Sequence, residues 1–181
     1  MVYIILGEGF EEMEAIVPCD MLRRAGIEVQ LAGIGGTVIR GSRGICVSAD
    51  LTVEQMDYTQ VDMIVLPGGL GGVESILASK TVLNAVQQVY QNGHYVAAIC
   101  AAPTVLAKLG ITDNKKATCY PGMENQMGAA QMLPNAKAVT DGHVITGTAA
   151  GTAYDFALEL ITALRGKAAA AQVAKGIVLT Q

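Results

Sequence analysis

The apolar positions of the chain fall into short continuous runs separated by amphipathic stretches. Val2–Leu6 is apolar throughout and stops at Gly7, the pattern of a strand buried on both faces. From Glu11 to Ala25 the apolar residues Met13, Ile16, Val17, Met21 and Leu22 recur at roughly helical spacing, and Gly26 ends the segment. Ile27–Ala32 predicts a second strand, and Gly35–Asp50 a glycine-punctuated, hairpin-like β excursion. DMIVLPGG, Asp62 to Gly69, reads as a buried strand running into a glycine turn. Lys80–Gln91 predicts a helix, Tyr95–Ile99 a buried strand, and Ala101–Leu109 a helix closed by Gly110. KATCYP predicts a short strand, and AKAVTDGHVITG a hairpin turning at Asp141-Gly142. Thr152–Leu164 predicts a helix closed near Gly166, and KAAAAQVAK a further alanine-rich one. Strands alternating with helices predict an α/β sandwich with a mainly parallel sheet.

Composition narrows the class. The 181 residues suit one domain spanning 1–181, large enough for a full core. Hydrophobic residues make up 51% and charged residues 15%, which excludes a disordered chain. No apolar run is long enough to cross a bilayer. MVYIILGEGF carries no basic region or small-residue cleavage site, so it reads as a strand rather than a signal peptide, and the expected compartment is cytoplasmic. The net charge is −4, with no more than two Lys or Arg adjacent, which argues against nucleic-acid binding through phosphate neutralisation. Cys19, Cys46, Cys100 and Cys119 are scattered with no CxxC, so no metal site is expected and a reducing environment is. With no Trp and two Phe, the core must rest on Ile, Leu, Val, Ala and Met.

Ligands of open parallel sheets bind beyond the carboxyl ends of the strands. Three predicted strands end there in GEGFEEME, PGG and Cys100, which brings Glu14, Gly68-Gly69 and Cys100 to one edge. Around Cys100, Ala98, Ala101 and Ala102 are small and Pro103 suits a first helical turn. This pattern fits a strained strand-to-helix elbow that exposes a nucleophile. A helix N-terminus would favour the thiolate and lower its pKa. The backbone N–H groups of Gly69 and Ala101 would form an oxyanion-type pocket. Glu14 lies among apolar neighbours, where a half-buried carboxyl would have a raised pKa and could donate to a thiolate or act as a base. The plain alternatives are a core cysteine and a solvated helix glutamate; Glu11 and Glu12 could simply favour the helix dipole. His94 precedes its strand by a length that puts it about 20 Å from Cys100, and His143 starts the return arm of a hairpin. A Cys-His dyad within one chain is therefore disfavoured.

GFEEMEAIVPCDMLRRAGIEV, VDMIVLPGG, AAICAAPTVLAKLG and GTAYDFALELITAL, in that order and spacing, resemble the ThiJ/PfpI family, in the branch of the parkinsonism-associated protein deglycase. The resemblance runs almost end to end. It implies a flavodoxin-like three-layer α/β/α sandwich of the class I glutamine amidotransferase-like type, and a homodimer. It also implies Cys100 as a nucleophile easily oxidised to sulfinic acid, Glu14 hydrogen-bonded to it, and Gly69 and Ala101 as donors. Arg24 and Arg43 match basic positions near the site and dimer interface of relatives. Tyr120 stands where relatives often have a histidine, and tyrosine is a poor base at neutral pH. AAGT, Ala149 to Thr152, replaces a common GPGT. Cys119 beside Tyr120 is a candidate resolving thiol, although a plain strand cysteine explains it equally well.

The leading expectation is a cofactor-independent enzyme of the glyoxalase III or protein deglycase type. It would act on α-oxoaldehydes or their protein or nucleotide adducts, with no metal. The competing expectation is a non-enzymatic redox sensor or chaperone-like stress protein that reads the oxidation of Cys100. An intracellular cysteine peptidase ranks third, for want of a placed histidine.

Overall fold

The computed structural model describes residues 1–179. In chain order the elements are β1 (Val2–Leu6), α1 (Glu12–Arg24), β2 (Val29–Gly33), β3 (Val38–Arg40), β4 (Cys46–Ser48), β5 (Leu51–Thr52) and β6 (Met63–Leu66). There follow α2 (Leu70–Ala78), α3 (Lys80–Gln91), β7 (Tyr95–Ile99), α4 (Pro103–Lys108), β8 (Lys116–Ala117) and β9 (Gln131–Met132). The last are β10 (Ala138–Asp141), β11 (Val144–Gly147), α5 (Ala153–Arg165) and α6 (Lys167–Gly176). Seven strands form one sheet in the order β10-β11-β7-β6-β1-β2-β5. All neighbours are parallel except the β10–β11 hairpin. This is the expected α/β/α architecture.

The uninterrupted apolar strands are explained by the layers. Val2, Ile4 and Leu6 point into a core beneath α1, α5 and α6, while Tyr3 and Ile5 point into a second core beneath α2, α3 and α4. A strand covered on both faces needs apolar side chains at both parities. Both phenylalanines are core residues, Phe10 and Phe156 being fully buried, so the aromatic contribution is small in number but placed centrally.

Two sequence expectations need correction, and one helix is unanticipated. The apolar spacing of the first helix puts Met13 and Ile16 on its buried face, but they are 48% and 40% exposed. The inward face carries Glu12, Glu14, Ala15, Pro18, Cys19, Met21 and Leu22. Small residues let α1 lie close to the sheet, and two carboxylates find partners beneath it. The helix α2 has no counterpart in the sequence reading, because its first turn carries Gly71 and Gly72, poor helix formers. A Cβ on Gly72 would come within 2.8 Å of the Phe10 Cα; these glycines let the loop after β1 pack on the helix start. KATCYP contributes only β8, paired with β9 in a separate two-stranded sheet. Cys119 and Tyr120 lie in the loop beyond it.

Candidate active site

The parallel sheet brings the carboxyl ends of β1, β6 and β7 side by side. The strand order reverses at β1, since β2 lies on one side of it and β6 on the other, so the crevice there is the favoured ligand position. Cys100 follows β7 directly and holds φ 66°, a left-handed backbone that costs a non-glycine residue about 1–2 kcal/mol. The conformation is held from both sides. The Cys100 N–H donates to the Gly147 carbonyl at 3.0 Å, and its carbonyl accepts the Tyr120 N–H at 2.8 Å. The flanking Ala98, Ala101 and Ala102 are buried, leaving no room for larger neighbours.

Glu14 projects from the first turn of α1 and is fully buried. Its Oε2 accepts the Gly68 N–H at 2.8 Å, while no hydrogen bond of ordinary length and angle reaches its Oε1. A Cβ on Gly68 would lie 2.6 Å from Glu14 Oε2 and 2.8 Å from the Cys100 Cβ, so any larger residue would part the carboxyl from the thiol. Gly69, at φ 81°, supplies the left-handed turn that aims its N–H at sulfur. Burial pushes the Glu14 carboxyl up to about 7, against the opposing pull of the thiol, the Gly68 N–H and the Ala150 N–H; the charge of Glu11 adds to the rise.

The thiol does not show the lowered pKa that the sequence pattern predicts. Burial, then the charge of Glu14 and the hydrogen bond to it, push Cys100 up to about 12, while the Ala101 and Gly69 N–H groups pull the other way. The expected helix dipole is weak here. α4 has six residues and begins at Pro103, with Ala102 as its cap, so sulfur lies outside a short helix. The resting pair thus keeps its proton on sulfur, next to a carboxylate able to take it.

These groups sit on the floor of an open cavity of about 1210 Å³. Tyr120, Met123, Leu70 and Ile45 give it apolar walls, and Arg43 is its cationic side chain. Arg43 Nε lies 3.9 Å from Glu11 Oε2. Arg24 is not part of this site. It pairs with Asp20 at 2.6 Å and borders a separate hollow between the end of α1 and α6. Cys119 faces away, its thiol directed at the Tyr120 carbonyl and its side chain packed in a small cluster with Ala117 and Met127. Burial pushes that thiol up to about 11, with Glu124 adding to the rise, and this placement does not fit a resolving thiol. His94 and His143 stand before β7 and β11, at the opposite edge of the sheet; the His143 ring tilts against Tyr95 at 5.0 Å.

Two features of the site were not singled out from the sequence. Glu12 turns inward and accepts the Arg43 N–H at 2.8 Å, the Ile45 N–H at 3.3 Å and the Ser42 hydroxyl at 3.2 Å. Burial alone would raise its carboxyl, but the N–H groups of Glu12, Arg43 and Ile45 and the Ser42 hydroxyl outweigh it and hold the pKa below the ordinary value. Ala150, after β11, directs its N–H toward Glu14. The run of three carboxylates in EEME offers a signal for the first; a backbone donor leaves none in the sequence.

The family model described as DJ-1/PfpI matches residues 1–163. The chain belongs to the DJ-1/PfpI family. Within this family it is 42% identical to the protein dj-1beta of Drosophila melanogaster over 178 residues, covering 97% of this chain and 95% of the relative. It is 36% identical to the Parkinson disease protein 7 homolog of Danio rerio over 180 residues, covering 97% and 95%. It is 30% identical to a deglycase of Pyrococcus abyssi over 165 residues, covering 91% and 99%. The crystal structure of Drosophila melanogaster DJ-1beta superposes with a TM-score of 0.95 at 40% identity, covering 99% and 98% of the two chains. That of oxidized Toxoplasma gondii DJ-1 superposes at 0.94 with 32% identity, covering 99% and 98%. Among the described residues no three His, Cys, Asp or Glu side chains are grouped to hold a metal ion, and no helix is long and apolar enough to cross a membrane.

Proposed function

We propose that the chain is a glyoxalase or deglycase that converts α-oxoaldehydes, free or as early adducts on protein or nucleotide groups, into 2-hydroxy acids. The observation that carries this reading is a buried carboxyl with a pKa of about 7 beside a thiol on a strained elbow. A base serves best when its pKa lies near the working pH, and the thiol needs one. The Cys100 sulfur attacks the aldehyde carbon as its proton passes to Glu14 and on to the carbonyl oxygen, forming a hemithioacetal. The Gly69 and Ala101 N–H groups stabilise the oxyanion. Glu14 then moves the aldehyde-derived C–H proton to the neighbouring carbon through an enediol, giving a 2-hydroxyacyl thioester. Water cleaves it to lactate, or to glycolate from glyoxal, and restores the thiol. One carbon is oxidised and its neighbour reduced, so the sum is substrate plus water with no external oxidant; from an adduct, the carrier amine or thiol leaves the aldehyde carbon with a proton as the Cys100 sulfur bonds to it. The kinship to a named deglycase supports the reading.

The alternative reading is a redox sensor. It is favoured by the thiol's place in an open cavity, and by the similarity to a DJ-1 solved in an oxidized form. Assay of D-lactate and glycolate formation separates the two. Cys100→Ser is expected to lose at least about a thousandfold in rate and Glu14→Gln about a hundredfold. In the wild type kcat/KM should rise with pH through about 7, because only ionised Glu14 can take the thiol proton. No turnover, together with ready sulfinate formation at Cys100, would replace the enzyme reading with the sensor.

A further inference from the structure

The β3–β4 hairpin is a two-stranded sheet of its own, joined neither to the seven-stranded sheet nor to the β8–β9 pair, yet its tip forms a wall of the Cys100 cavity. The tip turns around one side chain. Glu12 Oε1 accepts the N–H groups of Arg43 and Ile45, and Oε2 accepts the Ser42 hydroxyl. Ser42 also donates its N–H to the Phe10 carbonyl at 2.7 Å, and its single hydroxyl proton is shared between Glu12 Oε2 and Glu11 Oε2, the latter at 2.9 Å. The Gly41 N–H closes the turn on the Ile45 carbonyl at 2.9 Å. A Cβ on Gly41 would overlap the Glu12 carboxyl, so loop and carboxylate are shaped to each other. Glu12 is 6% exposed, which puts its hydrogen bonds in a setting where losing them leaves donors unpaired. The same tip carries Arg43 and Ile45 to the cavity.

We propose that Glu12 is a positioning residue: its carboxylate seats the β3–β4 tip so that Arg43 meets the part of the substrate lying beyond the reacting carbonyl. It thereby sets affinity for carriers bearing an anionic group. This rests on the reading of the cavity as an α-oxoaldehyde site. The small aldehyde reacts on the floor, at Cys100 and Glu14, and the hairpin wall reads only what the aldehyde is attached to. A defect in the seat therefore separates the two kinds of substrate.

The test compares free methylglyoxal with its hemithioacetal on N-acetylcysteine, which carries a carboxylate, in wild type, Glu12→Ala and Glu12→Gln. Glu12→Ala is expected to raise KM for the adduct about tenfold, with KM for methylglyoxal and kcat for both changed less than about threefold. Glu12→Gln keeps an acceptor for the Arg43 N–H and should show a smaller rise of the same sign. Equal effects on both substrates, a fall in kcat alone, or no effect would overturn the proposal. If Glu12→Ala does not fold, Glu12→Gln decides: a raised adduct-to-aldehyde KM ratio supports the seat and an unchanged ratio sinks it. If the wild type turns over neither compound, the glyoxalase reading fails separately. The seat is then read from the rates at which iodoacetate and iodoacetamide alkylate Cys100. Removing the Glu12 charge alone would favour the anionic reagent, whereas displacing Arg43 disfavours it. A fall in the iodoacetate-to-iodoacetamide ratio supports the proposal and a rise overturns it.

Discussion

Cys100 and Glu14 each carry an unfavourable feature that their neighbours hold in place: a left-handed backbone for one, full burial of a carboxyl for the other. The second has a definite sign in stability. Glu14 ionises near its ordinary 4.5 in the unfolded chain and at about 7 in the folded one. Between those values the native state keeps a proton that the unfolded state has lost, so stability falls as pH rises and the full cost is present above about 7. Glu14→Gln removes the titration. Relative to wild type it is expected to be more stable at pH 8 than at pH 4 by up to about 3 kcal/mol, measured by urea unfolding at both values. A stability difference independent of pH would show that the carboxyl is not perturbed as described. The same residue would then be stabilising to remove and costly to catalysis, as expected where a site stores strain.

At the scale of elements, the site is made where strand ends meet loops, and threonines tie those loops together. Thr118 donates its N–H to Thr146 Oγ1 at 2.9 Å, and its hydroxyl meets the Thr148 hydroxyl at 3.0 Å. Thr148 in turn donates to the Ala136 carbonyl. One network thus joins the loop carrying Tyr120 to the loop carrying Ala149 and Ala150, two walls of the cavity. Thr148→Val leaves the Thr118 hydroxyl and the Ala136 carbonyl without that partner, and should lower stability by about 1–2 kcal/mol, read as a lower urea midpoint at unchanged m. An unchanged midpoint would mean that water replaces the hydroxyl. This network was not legible in TCYP or VITGTAAG, because it depends on which loops the sheet order brings together. The strands themselves were legible, since Val2–Leu6, Met63–Leu66 and Tyr95–Ile99 are apolar at both parities, and so was the elbow, since its small neighbours are local in sequence. The charge state of Cys100 departs from the sequence expectation for a physical reason. The pattern AAICAAP announces a helix start, but not that the helix is short or that a carboxylate from α1 lies against the sulfur.

For the whole molecule, the rotated face of α1 has a consequence. Met13 and Ile16 would have completed an amphipathic helix facing the sheet, yet they point outward. A helix with Glu12 and Glu14 directed inward and large apolar residues directed outward has its chemistry beneath it and an exposed apolar strip above. We propose that a second copy of this chain covers that surface, as the resemblance to the family implies. Met13 also lines the cavity, so a partner seated there would border the mouth of the site and limit the entry of water and bulky carriers. Ile16 does not line the cavity, which makes it the position to test. Ile16→Glu would place a charge in the middle of an apolar contact, where an unpaired ion is strongly disfavoured. Wild type is expected to sediment at twice the chain mass at micromolar concentration, and Ile16→Glu at the chain mass with its fold retained by circular dichroism. If wild type sediments as a single chain, the exposed strip has another occupant or none. If Ile16→Glu remains double, the copies meet elsewhere on the surface, and the cavity mouth stays open to carriers of any size.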